Sequence, residues 1–149
     1  MATPVSRLLW RLSVVLAILG LLVASYLTWS HFSSTNVLCA EGGGCDTVRQ
    51  SPFSEIMGIP VAAIGLVGYL AILGVLVLER TSPALASYGP LVIFGFSLIG
   101  TLYSAYLTYL ELFVILAICP YCVASAVIMT LLFILAVFRL LQTFDAEQD

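Results

Sequence analysis

Apolar residues fill this chain in long, nearly unbroken runs instead of the one-sided stripe of a soluble amphipathic helix. Four runs, near 12–31, 58–78, 90–116 and 119–138, reach the roughly 20 residues a helix needs to cross about 30 Å of hydrocarbon. Polar punctuation separates them unevenly. A Ser/Gly/Asp-rich segment runs from Phe32 to Met57, a short turn covers Glu79 to Pro83, and almost no break precedes Cys119. The pattern predicts an all-α membrane protein: a four-helix transmembrane bundle with one long outer loop, 32–57, between helices 1 and 2. Residues 1–149 form one domain in this reading. Arg7 and Arg11 precede the first run as they would in a signal peptide. Its length and the lack of a clear small-residue cleavage site read instead as a retained anchor.

Composition narrows the function. With 62% hydrophobic and 9% charged residues and a mean hydropathy of +1.15, almost every residue is needed in the bilayer, which excludes a large soluble catalytic domain and intrinsic disorder. The five basic residues are scattered arginines, too few to track a nucleic-acid backbone. Their positions orient the bundle, because basic residues in short loops resist translocation. Arg7, Arg11, Arg80 and Arg139 fall on one face and Arg49 on the other. Both termini are therefore expected in the cytoplasm and the 32–57 segment outside, in a multi-pass protein of the cell (inner) membrane. Tyr26, Trp29, Tyr106 and Tyr109 then lie near the outer ends of helices one and three as an aromatic belt. A weak echo of Ala24–Trp29 in Ser104–Tyr109 hints at duplicated hairpins.

All four cysteines fall at the outer end, where disulfides form and persist. Counting about 20 helical residues back from Arg139 reaches Cys119, so Cys119-Pro120-Tyr121-Cys122 marks the outer start of helix four. Pro suits the first helical position, and the unpaired amides there favour a thiolate. This is a redox geometry. The loop pair, Cys39 and Cys45, brackets three consecutive glycines, whose entropy a rigid bridge would not need. A mobile loop suits thiol exchange, which proceeds by direct attack through a mixed disulfide; a static Cys39–Cys45 clamp is the plainer alternative. The spacing is wrong for a four-cysteine zinc site, and Val123 stands where haem attachment needs His, so no metal is expected.

Other polar residues carry plainer readings. Glu111 is the only acid of the third run and reads as an outer-interface carboxylate, with a proton relay as the alternative. His31 reads as an interface anchor, Arg49 as an exposed loop residue, Gly65 and Gly68 as close-packing positions, and Asp145, Glu147 and Asp149 as a solvated tail.

The order of a spaced loop pair, then Ser51, then Gly58-Ile59-Pro60, then Cys119-Pro120-Tyr121-Cys122 resembles the bacterial vitamin K epoxide reductase family over residues 15 to 140. The resemblance implies an electron relay. Cys39 would exchange with a separate thioredoxin-like protein, Cys45 would pass electrons to Cys119 through a transient bridge, and Cys122 would be the thiolate that reduces a quinone of the menaquinone, ubiquinone or vitamin K type. It further implies that Ser51 is the family's loop hydroxyl near the substrate pocket and that Phe53 and Met57 line that pocket. Ser54 and Ala126 stand where the animal enzymes carry a substrate-binding Asn and a Tyr, which favours quinone over epoxide reduction. The implied function is a quinone-dependent membrane thiol oxidoreductase. Its alternatives are a vitamin K quinone or epoxide reductase and a non-catalytic scaffold with two structural disulfides.

Overall fold

The computed structural model describes residues 4–33 and 45–148; for Cys45, Asp46 and Arg49 it describes the backbone. Four long helices make the bundle: α1 (Pro4–Phe32), α3 (Val61–Leu78), α4 (Pro83–Leu110) and α5 (Pro120–Gln148). All four are long and apolar enough to cross a membrane, as the run lengths predict. Large side chains such as Leu22, Val67, Ile99 and Val127 stay exposed, which in water would be a liability and in lipid is the expected outer surface.

Packing inside the bundle depends on small residues that admit large ones. Tyr69 of α3 is fully buried against α1 because Gly20 has no side chain: a Cβ there would lie 2.1 Å from the ring. Tyr69 spends its hydroxyl on Ser125 of α5, 3.0 Å away. Gly100 of α4 admits Met129 of α5 in the same way, with a would-be Cβ 2.9 Å from the sulfur. Gly65 and Gly68, expected at such contacts, have open space beside them; they face a cavity instead.

The described part of the polar loop has local structure of its own. A short helix, α2 (Cys45–Gln50), leads through a 3-10 turn at Pro52–Ser54 into a hairpin of β1 (Glu55–Ile56) and β2 (Ile59–Pro60). Met57 and Gly58 turn that hairpin with φ of 53° and 84°, the left-handed pair that a two-residue hairpin requires. Gly58 accepts this freely, and Pro60 then leads directly into α3.

Three boundaries move furthest from the sequence expectation. The first helix begins at Pro4, not near residue 12. The third run begins at Pro83, with Pro90 carried inside α4. The fourth helix continues past Arg139 to Gln148, so Arg139 does not follow a span as expected. It lies within α5 and pairs with Glu79 in the α3–α4 turn. Nearby, Arg80 stacks 4.1 Å over the Trp10 ring, whose Nε1 donates to the Leu76 carbonyl at 2.9 Å. The basic end of the bundle is thus closed by buried charge pairing.

Candidate active site

At the opposite end, α5 starts where the sequence places it. Pro120 is the first helical residue, and the Cys119 carbonyl accepts the first helical bond from the Val123 amide at 3.0 Å. Cys119 is buried among Tyr26, Leu27, Val48, Tyr121 and Cys122. Both sulfurs are free thiols, and the Cys122 thiol lies within hydrogen-bond reach of the Cys119 sulfur and of the Glu111 carboxylate. The Cys119 thiol, just before the spanning helix, is held below the ordinary thiol range. The Cys122 hydrogen bond is the main cause, and the Cys122 and Tyr121 amides add to it against burial and the Glu111 charge. The first negative charge of the reduced pair therefore rests on Cys119, whereas the resemblance puts the thiolate on Cys122.

Glu111 is the residue that the sequence reading placed least well. Instead of sitting at an exposed interface it is 3% exposed. The cause is local. Helix α4 widens at its end into a π turn, Glu111–Ile115, closed by Leu116 in the left-handed region at φ 58° and by the Ala117 amide donating to the Glu111 carbonyl at 3.2 Å. Such turns are rare and concentrate at functional sites. This one brings the chain back so that the Cys119 amide donates to Glu111 Oε2 at 3.3 Å. The visible signal was an acid in an otherwise uncharged apolar run; the turn that buries it had none.

Behind the cysteines lies a cavity of about 570 Å³, bounded by all four long helices and by the 48–60 segment. Its wall is mainly apolar, and Gly65 and Gly68, with open space beside them, widen it. Cys119, Cys122 and Glu111 share one part of that wall. The volume falls within the range of small-molecule sites, which combine an apolar lining with a few convergent polar groups. A flat, lipid-borne ring such as a quinone fits this donor set.

The structure brings together several residues singled out from the sequence. Ser51 and Phe53 line the cavity, as do Ser54 and Ala126. The Ser51 hydroxyl donates to the Val48 carbonyl at 2.6 Å and so fastens α2 to the turn after it. Met57 does not join them. At the hairpin tip its side chain is 97% exposed and off the cavity wall, because the turn aims it away. His31, expected as an interface anchor, pairs with Glu55 at 3.1 Å and lines the cavity. Tyr26 turns inward from the expected aromatic belt, its ring 5.3 Å from that of Tyr121. Cys39 and the Cys45 side chain lie outside the described residues, although the Cys45 backbone opens α2.

A model of the vitamin K epoxide reductase family matches residues 11–137. This chain belongs to that family. Its members are oxidoreductases that couple disulfide chemistry to vitamin K or another quinone, generally with thioredoxin-like partners. In this family member the matched region contains the thiol pair, the cavity and the segment that covers it.

Proposed function

We propose that this protein is a quinone-dependent thiol oxidoreductase that generates disulfides in exported proteins. The supporting observation is the placement of Cys119 and Cys122 on the wall of an apolar cavity that opens among membrane-spanning helices. The position of α2 adds to it: Val48, three residues after Cys45, packs on Cys119, so the helix that begins at Cys45 rests on Cys119. The arginine-rich end of the bundle faces the cytoplasm in this reading and the cysteine end faces outward.

Electrons enter through the loop pair. A reduced thioredoxin-like partner gives up two thiols, becomes a disulfide, and converts the Cys39–Cys45 bridge to thiols. Cys45 then attacks Cys119 of the Cys119–Cys122 bridge. A transient Cys45–Cys119 disulfide forms and Cys122 leaves as the thiolate; Cys39 closes on Cys45 and releases Cys119. The pair now holds the two electrons. A quinone, when bound, accepts two electrons and two protons and leaves as quinol. Ser51, Phe53 and the glycine-lined wall hold the ring beside Cys122 and keep water from it.

Purified protein supplied with a reduced thioredoxin-like protein should reduce a quinone, and Cys122→Ala should abolish turnover. Undiminished turnover in that variant would refute the assignment. Assaying vitamin K epoxide beside quinone separates the alternative reading, and the proposal expects quinone to be the better substrate because Ser54 and Ala126 line the cavity.

A further inference from the structure

Reducing a quinone requires protons as well as electrons, and the groups on the cavity wall are placed to move them. Among the described residues Glu111 is the only acid on the cavity wall. Its carboxylate receives the Cys119 amide at 3.3 Å and lies within hydrogen-bond reach of the Cys122 thiol. Among the described residues no Lys, Arg or His pairs with it, so nothing fixes its charge as Arg139 fixes that of Glu79. The other titratable groups turned to this space are Tyr69 from α3, Tyr103 from α4, His31 from α1 and the two cysteines. Tyr69 is engaged with Ser125 and His31 with Glu55. Of these groups, Glu111 alone touches both the reacting sulfur pair and the cavity.

We infer that Glu111 is the proton carrier of the reaction, taking the Cys122 proton as the disulfide closes and delivering it to the quinol oxygen. This role rests on the proposed quinone reduction. The balance is complete. The reduced pair holds one proton, on Cys122, with Cys119 as thiolate. Closing the S–S bond releases two electrons to the quinone and that proton to Glu111, which returns to carboxylate when it passes the proton on. The second proton comes from outer solvent, where Cys119 lost its own. The accepted bond from the Cys119 amide keeps the carboxylate aimed at the pair throughout the cycle.

Glu111→Gln separates carriage from scaffolding, since a Gln side chain still accepts the amide bond but carries no proton. Quinone reduction should fall about 100-fold or more, the usual contribution of a positioned acid–base group. The pH at which Cys119 alkylation is half-maximal should meanwhile move down, because removing a neighbouring negative charge favours its thiolate. Lost turnover together with that shift is what a merely structural glutamate would not produce. Turnover within about threefold of wild type would overturn the inference. So would an unchanged midpoint of that pH profile, which would mean that Glu111 bears no charge with which to accept a proton. Should the Gln variant fail to purify as a monodisperse protein, Glu111→Asp must retain quinone reduction that Glu111→Asn loses, and equal activities of the two would overturn the inference. Alkylation requires no quinone, so if the wild-type protein reduces none, the proposed function fails and this comparison still decides the charge on Glu111.

Discussion

The bundle buries a glutamate at each end, and the two are treated oppositely. Glu79, in the α3–α4 turn, meets the Arg139 guanidinium, and Gly89 of α4 makes room for it: a Cβ there would lie 2.6 Å from Glu79 Oε2. Glu111, at the end of α4, meets a backbone amide and a thiol. Breaking a buried pair strands a charge, so Glu79 holds the helices together at the arginine end. A carboxylate whose neighbours are a thiol and a cavity has somewhere to take a proton from and somewhere to deliver it. The comparison teaches that burial alone does not mark a functional acid. The identity of its partner does.

The largest effect expected from breaking this contrast is at the arginine end. Arg139→Met should cost about 3–5 kcal/mol, the usual result of removing one partner of a buried pair, read as a lower thermal midpoint in detergent or lipid. Quinone reduction per folded molecule should hold, because neither Arg139 nor Glu79 reaches the cavity. The loss should also depend on pH. Burial raises the Glu79 carboxyl above the ordinary carboxylate range, and Arg139 offsets part of this. With its pKa higher folded than unfolded, Glu79 binds more protons in the folded state, so its contribution falls as pH rises between the two values. Without Arg139 that window widens upward. The Arg139→Met protein should therefore regain stability on acidification, and a loss independent of pH would contradict the assignment.

A smaller effect is expected from Gly89→Ala, which forces the Glu79 carboxylate from its place and should cost about 1–3 kcal/mol as overpacking does. The corresponding comparison at the cysteine end concerns binding. Phe53→Ala removes a ring from the cavity wall and should raise KM for quinone with little change in thermal midpoint. Met57→Ser should change neither, since the side chain is exposed; a rise in KM equal to that of Phe53→Ala would place Met57 on the cavity after all.

The four spans and the Pro-led start of α5 were legible in the sequence because both follow from local rules: apolar length against bilayer thickness, and proline's fit to the first helical turn. The cysteine pair needed nothing more. Other features depended on contacts between distant residues. Gly65 and Gly68 read as packing sites, yet it is Gly20 and Gly100 that admit a neighbour's side chain. Spacing within one helix does not say which small residue meets a large one. Arg139 read as an anchor beyond its helix because an arginine in an apolar run usually ends it, whereas Glu79, sixty positions earlier, provides a partner inside the bundle. The π turn that buries Glu111 has no sequence pattern, and with it went the nearest neighbour of the reactive thiols.

The most direct test of the central claim needs neither a partner nor a mutant that might perturb the fold. Reduced wild-type protein in lipid is exposed to quinone without any thioredoxin-like protein, then alkylated and examined by mass spectrometry. The account predicts that Cys119 and Cys122 become joined to each other, with one quinol formed for each bridge. Both sulfurs remaining alkylatable while the quinone stays oxidised would contradict it.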